Sequence, residues 1–257
     1  MRLKKLIQFS FLTILLFPIL SCDKQVLDEF KSAAISNYHQ LTVGKYITYR
    51  LDSTVFTNSG RSEENHAYQV RHTVDAQVVD NLGRPSYRIV RQLRDSAGTS
   101  PWVENGTYFI TPLSDQLEVV EDNLRFIKLH IPFALNFKWK GNKFLSSDPY
   151  SSVYSFSNDD NMNDWDYSYD QLEATTSIGG KTLTDVYTIT QIDESLNAPV
   201  TSFNSYGARS FSVEKYAKNI GLVSREYILW EYQPNTGGAG GGYKVGFGIK
   251  MWVIDYN

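Results

Sequence analysis

Cysteine occurs once in 257 residues, at position 22. The folded part of the chain must therefore hold together without an internal disulfide, even in an oxidising compartment. Histidine occurs four times and does not cluster. His66 and His72 share a strand parity, but six extended residues set them about 20 Å apart. Neither the HExxH signature nor a GxSxG nucleophile elbow occurs. No Pro-rich or Gly/Ser-rich linker divides the chain. Basic residues are also outnumbered, with 25 Lys and Arg against 28 Asp and Glu. That balance argues against nucleic acid, whose binding needs cations to neutralise phosphates, and against a polybasic membrane patch.

The N-terminus is where positive charge does gather. Residues 1–5, MRLKK, carry three cations and no acid. An apolar run of about 15 residues follows, LIQFSFLTILLFPIL. It is shorter than the roughly 20 residues of a permanent span, and Pro18 interrupts it. Ser21 is a small residue before a cut, and Cys22 comes next. The stretch Ile19–Cys22, ILSC, resembles the lipobox of bacterial lipoproteins, in the looser form frequent in the Bacteroidetes, with Leu20 where a small residue is common. The resemblance implies cleavage before Cys22, acylation of its thiol and of the new amino group, and a membrane anchor that needs no help from charge. Removing residues 1–21 takes three cations and no acid, leaving a formal charge of about −6. Surface-exported lipoproteins of that group carry an acidic cluster just after the cysteine. The stretch DKQV, 23–26, lacks one, so the resemblance implies the periplasmic face of the outer membrane. The expected organisation is a signal segment at 1–21, an acylated cysteine and tether at 22–43, and a single β domain at 44–257.

From Gly44 the hydrophobic period is two. In YQVRHTVDAQVVD, Tyr68, Val70, His72, Val74, Ala76 and Val78 alternate with polar residues, the pattern of a half-buried antiparallel strand. NLGRP (81–85), EDN (121–123) and the pair Gly179–Gly180 carry turn chemistry between such runs. GLVSREYILWEYQ (221–233) is apolar on both faces, which predicts a central strand or one covered on both sides. YKVGFGIKMWVIDY (243–256) puts Phe247, Ile249, Met251 and Val253 on one face. Aromatics make up 14 % of the chain, with 17 Tyr, and favour pleated, half-buried surfaces. The fold class expected is all-β: about ten to twelve strands in an antiparallel curved sheet, half-barrel or barrel-like, with little helix outside the signal peptide. The stretch YAKNIGLVSREY, Tyr216–Tyr227, is similar to a segment of LolA/LolB-like envelope lipoproteins in which a turn leads into a strand. That resemblance implies a sheet curled around an apolar interior.

One segment suggests a metal. In SNDDNMNDWDYSYDQ (157–171), Asp159, Asn161, Asn163 and Asp170 fall at positions one, three, five and twelve of a calcium-loop spacing. Position six is Asp164 instead of Gly, so a solvated Asx-rich turn accounts for the same residues. No other cofactor is expected. Trp165, Tyr167 and Tyr169 alternate after it, as a sugar-stacking ledge or as core. The glycine-rich TGGAGGGYK (236–244) lacks the GK[ST] ending of a phosphate loop and reads as a hairpin loop. Carboxylates stand out at Glu63–Glu64, read as a solvated loop tip, and at Glu226 among apolar neighbours, read as an edge or ion-paired residue. No catalytic residue emerges.

The functional expectation is a non-catalytic envelope lipoprotein that binds a lipid or other apolar ligand. The alternatives are an accessory subunit of an outer-membrane transport or secretion assembly, bound to a membrane-protein partner, and a glycan-active hydrolase with two carboxylates paired across strands. The N-terminal reading is tested at one atom. Cys22→Ser is expected to abolish metabolic labelling with a fatty-acid probe and to release the protein from the membrane fraction. Persistent labelling of the variant would disprove the lipoprotein assignment.

Overall fold

The computed structural model describes residues 32–235, 237 and 240–257. The predicted signal, Cys22 and the first part of the tether lie outside them. Twelve antiparallel strands form one nearly closed, barrel-shaped sheet. They are β1 (Tyr46–Thr57), β2 (Ser62–Val79), β3 (Pro85–Asp95), β4 (Val103–Pro112), β5 (Gln116–Glu121) and β6 (Leu124–His130), then β7 (Lys138–Lys140), β8 (Asp166–Ile178), β9 (Lys181–Leu196), β10 (Gly207–Ala217), β11 (Gly221–Gln233) and β12 (Tyr243–Tyr256). Each strand pairs with its sequence neighbour, except that β12 returns to pair with β1 and that β6 and β7 are the two edges.

Local chemistry sets the hairpins. Asp122 and Asn123 both take positive φ, as do Gly179 and Gly180, giving two-residue turns whose twist matches the strands they join. The alternation predicted for β2 holds along the strand, with Ala76 and Val78 less exposed than Asp75 and Gln77, and a bulge against β3 shifts the register between Val74 and Ala76. Val70, His72 and Val74 point inward and are buried. The central position predicted for β11 is also observed, between β10 and β12. Strand β2 starts six residues earlier than its hydrophobic pattern indicates. Glu63 and Glu64 therefore sit in a strand and not at a loop tip, because Lys244 pairs with Glu63 and Thr57 donates to Glu64 across the hairpin.

The edges meet at a seam. The Ile127 N–H donates to Gly141 O at 2.7 Å, and the Trp139 indole N–H donates to Ile127 O at 2.9 Å. The Tyr169 hydroxyl donates to His130 O and accepts the His130 N–H, tying β8 to the end of β6. Gly141 has no room for a side chain, since a Cβ there would collide with the Tyr167 ring.

A barrel of this many strands encloses more space than wall side chains fill; eight strands is about where side chains suffice. Two irregular segments enter the remainder. At one end, Ile35 and Tyr38 from a 3-10 turn (Ile35–Tyr38) join the core with Phe133, and Tyr38 stacks on the Phe133 ring at 4.7 Å between centroids. At the other, the β7–β8 connection contributes Leu145, Met162 and Trp165. Tyr167 and Tyr169 are both fully buried at 0 % exposure, which settles their role as core packing instead of a surface ledge. These two turns, with Met162–Asp164 the second, are the helical elements among the described residues.

Trp139 carries the seam through one hydrogen bond and through ring contacts with Tyr169 at 4.7 Å and Tyr167 at 5.8 Å. Trp139→Ala is expected to lower unfolding free energy by about 3–5 kcal/mol in urea titration. Trp139→Phe keeps most of the packing but orphans Ile127 O, and is expected to lose about 1–3 kcal/mol.

Candidate functional site

The alternation that builds each strand also turns certain charged residues inward. On β11, Arg225 lies between Val223 and Tyr227 on the inward face; on β10, Glu214 lies between Ser212 and Tyr216. Register places Glu214 directly opposite Arg225. Arg91 comes from β3, Glu121 from the end of β5 and Lys128 from β6.

Together they form one alternating chain of charge across the lumen. Arg91 bonds Glu121 Oε1 at 2.8 Å, and Arg225 bonds Glu121 Oε2 at 3.1 Å. The Arg225 Nε donates to Glu214 Oε1 at 2.8 Å, and Lys128 Nζ donates to the same oxygen at 3.0 Å. The Tyr216 hydroxyl donates to Glu214 Oε2 at 2.9 Å. Every oxygen of the two carboxylates is thus occupied. Burial acts to raise the Glu121 pKa, but Arg225, His72 and Arg91 outweigh it and hold the group at about 2. Glu214 is likewise held below its ordinary value: burial opposes, and Lys128 and Arg225 prevail. Lys128 is lowered, chiefly by burial.

Arg225 borders two cavities, so this belt divides the lumen. On the side of the Ile35–Tyr38 turn lies a cavity of about 80 Å³, lined by residues such as Ile89, Ile110, Val119 and Leu222. His72 also lines it, and its Nδ1 is 3.0 Å from the Tyr108 hydroxyl. On the other side lies a chamber of about 540 Å³. Arg91, Glu121, Lys128, Glu214 and Arg225 form its floor, and Phe126, Tyr154, Tyr227 and Phe247 give it aromatic walls. Tyr227 and Phe247 meet edge to face at 5.1 Å, and the Tyr227 hydroxyl donates to that of Tyr150 at 3.1 Å. Pro149, Tyr150, Ser152 and Val153 of the β7–β8 connection border it.

That connection is tied down by polar groups, among them the buried Glu231. Glu231 accepts the Ser157 N–H at 2.6 Å and its hydroxyl at 2.8 Å. The Asn158 amide donates to Arg209 O and Trp230 O, both at 3.1 Å. Of the four predicted calcium ligands, Asp159 is buried and accepts the Tyr150 N–H through Oδ2 at 2.9 Å. Asp159 Oδ1 and Asn163 Oδ1 are buried without a hydrogen-bond partner. Asn161 takes the left-handed conformation at φ 58°. Asp170 stands apart from the loop, exposed on β8, where it accepts the Ser168 hydroxyl at 2.5 Å. Among the described residues, no group of three or more His, Cys, Asp or Glu is arranged to hold a metal.

None of the five belt residues stood out in the sequence, although a signal was there. Each of Lys128, Glu214 and Arg225 occupies a position whose neighbours two residues away are aromatic or apolar on at least one side. Glu226, which did stand out, faces outward toward Lys250 at 3.8 Å.

No family model matches the chain, and no curated protein does. Among solved structures, the crystal structure of a candidate lipoprotein from Parabacteroides distasonis aligns at 12 % identity with a TM-score of 0.38, covering 86 % of this chain and 99 % of that one. A likeness of that size carries no inference about this protein's role.

His72 makes the lumen sensitive to acid. Burial, with help from Arg225 and Arg91 and against the pull of Glu121, pushes its pKa down to about 3 from 6.5. Below pH 6.5 the unfolded chain takes up a proton that the folded chain refuses until about pH 3. Stability from this group is complete above pH 6.5 and falls by up to about 1.4 kcal/mol per pH unit across that window. Denaturant unfolding at pH 7.5, 6.0 and 5.0 is expected to show a steeper decline in the native protein than in His72→Phe. Parallel declines would refute a neutral, buried His72.

Proposed function

We propose that this chain is a non-catalytic envelope lipoprotein, anchored through acylated Cys22, whose barrel binds a small amphipathic molecule in the 540 Å³ chamber. The observation that carries the reading is the chamber itself. It falls in the size range of small-molecule sites and combines aromatic walls with a few convergent polar groups. An apolar ligand was the expectation from sequence; a charged floor favours one that also has a polar end.

The polarity of the barrel supports an anchored binder. The Ser32 hydroxyl accepts the Phe133 N–H at 2.8 Å, beyond the His130 end of β6, whereas Asp122 at the chamber rim lies before its Leu124 end. Ser32, the first described residue, therefore lies at the end remote from the chamber. The outer membrane and its periplasmic face are the location we favour, from the lipobox and the residues after it.

The hydrolase alternative needs one carboxyl that stays protonated near neutral pH. Glu121 and Glu214 are both held ionised by paired cations, and neither has a free oxygen. An accessory subunit docking through a strand edge would have to open the seam that β6 and β7 already share.

Native mass spectrometry of the protein purified from its own envelope tests the reading. The expected result is a bound small molecule beyond the acyl modification, lost in Ser212→Phe, which fills the chamber from β10. Only the bare acylated mass in the native protein would count against a binding role.

A further inference from the structure

The chamber floor is unbalanced in both charge and hydrogen bonding, and the two imbalances agree. Three cations, buried Lys128 and half-buried Arg91 and Arg225, face two carboxylates, buried Glu214 and half-buried Glu121. A third carboxylate, Asp122, approaches Arg91 at 3.4 Å but is 73 % exposed at the rim, where water screens it. With Asp122 set aside, the floor carries one more positive charge than negative. The hydrogen bonds point the same way. All four oxygens of Glu121 and Glu214 already accept. Lys128 Nζ makes one hydrogen bond, to Glu214, and so keeps two of its three donors for the chamber.

Gln191 adds a second, independent donor. It lines the chamber from β9 and is 4 % exposed. Its Oε1 accepts the Ser212 hydroxyl at 2.8 Å, and its Nε2 is buried with no partner at all. Ser212, the partner of Gln191, and Glu214, the partner of Lys128, lie two residues apart on the same face of β10, about 7 Å along the strand. An unmatched buried amide is costly to leave empty-handed. A group entering this chamber meets donors and a surplus cation, and finds no free carboxylate oxygen among those two acids.

The geometry points to an organic acid as the ligand: a single carboxylate received by Lys128 and the Gln191 amide, with an apolar or aromatic body lying along Phe126, Tyr227 and Phe247. The inference rests on the chamber being a binding site and names what that site selects. A carboxylate supplies two acceptor oxygens for two donor groups and one negative charge for the one left over. An alcohol of the same shape supplies one acceptor and no charge. An amine adds a cation where one is already in excess. Lys128 itself is held over the Phe126 ring at 4.5 Å, which fixes the ammonium at the foot of the aromatic wall.

The test uses the mature, acylated protein in lipid nanodiscs, with empty nanodiscs as the blank. Three water-soluble probes of one shape are titrated calorimetrically: phenylpropanoate, phenylpropanol and phenylpropylammonium. The acid is expected to bind at least about tenfold more tightly than the alcohol, and the ammonium more weakly than either. Lys128→Met is expected to bring acid and alcohol to equal affinity, Lys128→Arg to retain the preference, and Gln191→Leu to reduce it. Equal binding of acid and alcohol to the native protein, or preference for the ammonium, would overturn the inference while leaving the chamber a ligand site. Failure of all three probes to bind would overturn both. The comparison among probes in the native protein decides the matter even if a variant fails to fold.

Discussion

Closing twelve strands on themselves creates a lumen too wide for the wall to fill, and the rest of the molecule answers that constraint. The N-terminal turn and the β7–β8 connection enter from opposite ends and bring Tyr38 and Met162 into the core. Between them the wall reaches inward with long side chains. Arg225 is the pivot, because its guanidinium spans from Glu121 to Glu214 and joins one side of the barrel to the other. Leu or Val at that position leaves the gap open; the fork of an arginine bridges it with directional bonds.

Such a belt is a weak source of stability and a strong source of order. Desolvating five charges costs about as much as their attraction returns, while removing one partner strands the other in low dielectric at a cost of about 3–5 kcal/mol. Buried charge is therefore held to one arrangement, with every carboxylate oxygen engaged. The arrangement also keeps both chambers from collapsing, since charged heads cannot pack against apolar walls without losing their partners. A polar floor under an aromatic well follows from how the lumen is filled, and the ligand preference follows from the donors left over.

The architecture was legible from Gly44 onward because strand parity is written locally. Alternation in β2 and β12, the Asp122–Asn123 and Gly179–Gly180 turns, and the double-sided apolar run of β11 each depend on a few adjacent residues. The polar N-terminal part of β2 escaped notice for a physical reason: Glu63 and Glu64 gain their partners from β12 and β1, distant or reversed in sequence. Trp165, Tyr167 and Tyr169 were ambiguous in the same way, since a buried aromatic and an exposed one look alike until the seam beside them is known. The Asp159 loop illustrates the converse. Its spacing places four oxygen-bearing residues in order along the chain, but Asp170 joins a strand and points to solvent.

The sequence by itself determined the all-β class, several hairpin turns and the lone cysteine behind an apolar run, because each is a property of neighbours along the chain. Only the tertiary structure decided that Arg91, Glu121, Lys128, Glu214 and Arg225 are one chain of charge, and that Gln191 shares their chamber with an amide unspent. Those residues come from five strands and the end of β5, up to 134 positions apart from Arg91 to Arg225 in sequence. Their pairing depends on barrel closure, which sets distances across the lumen that no local pattern encodes.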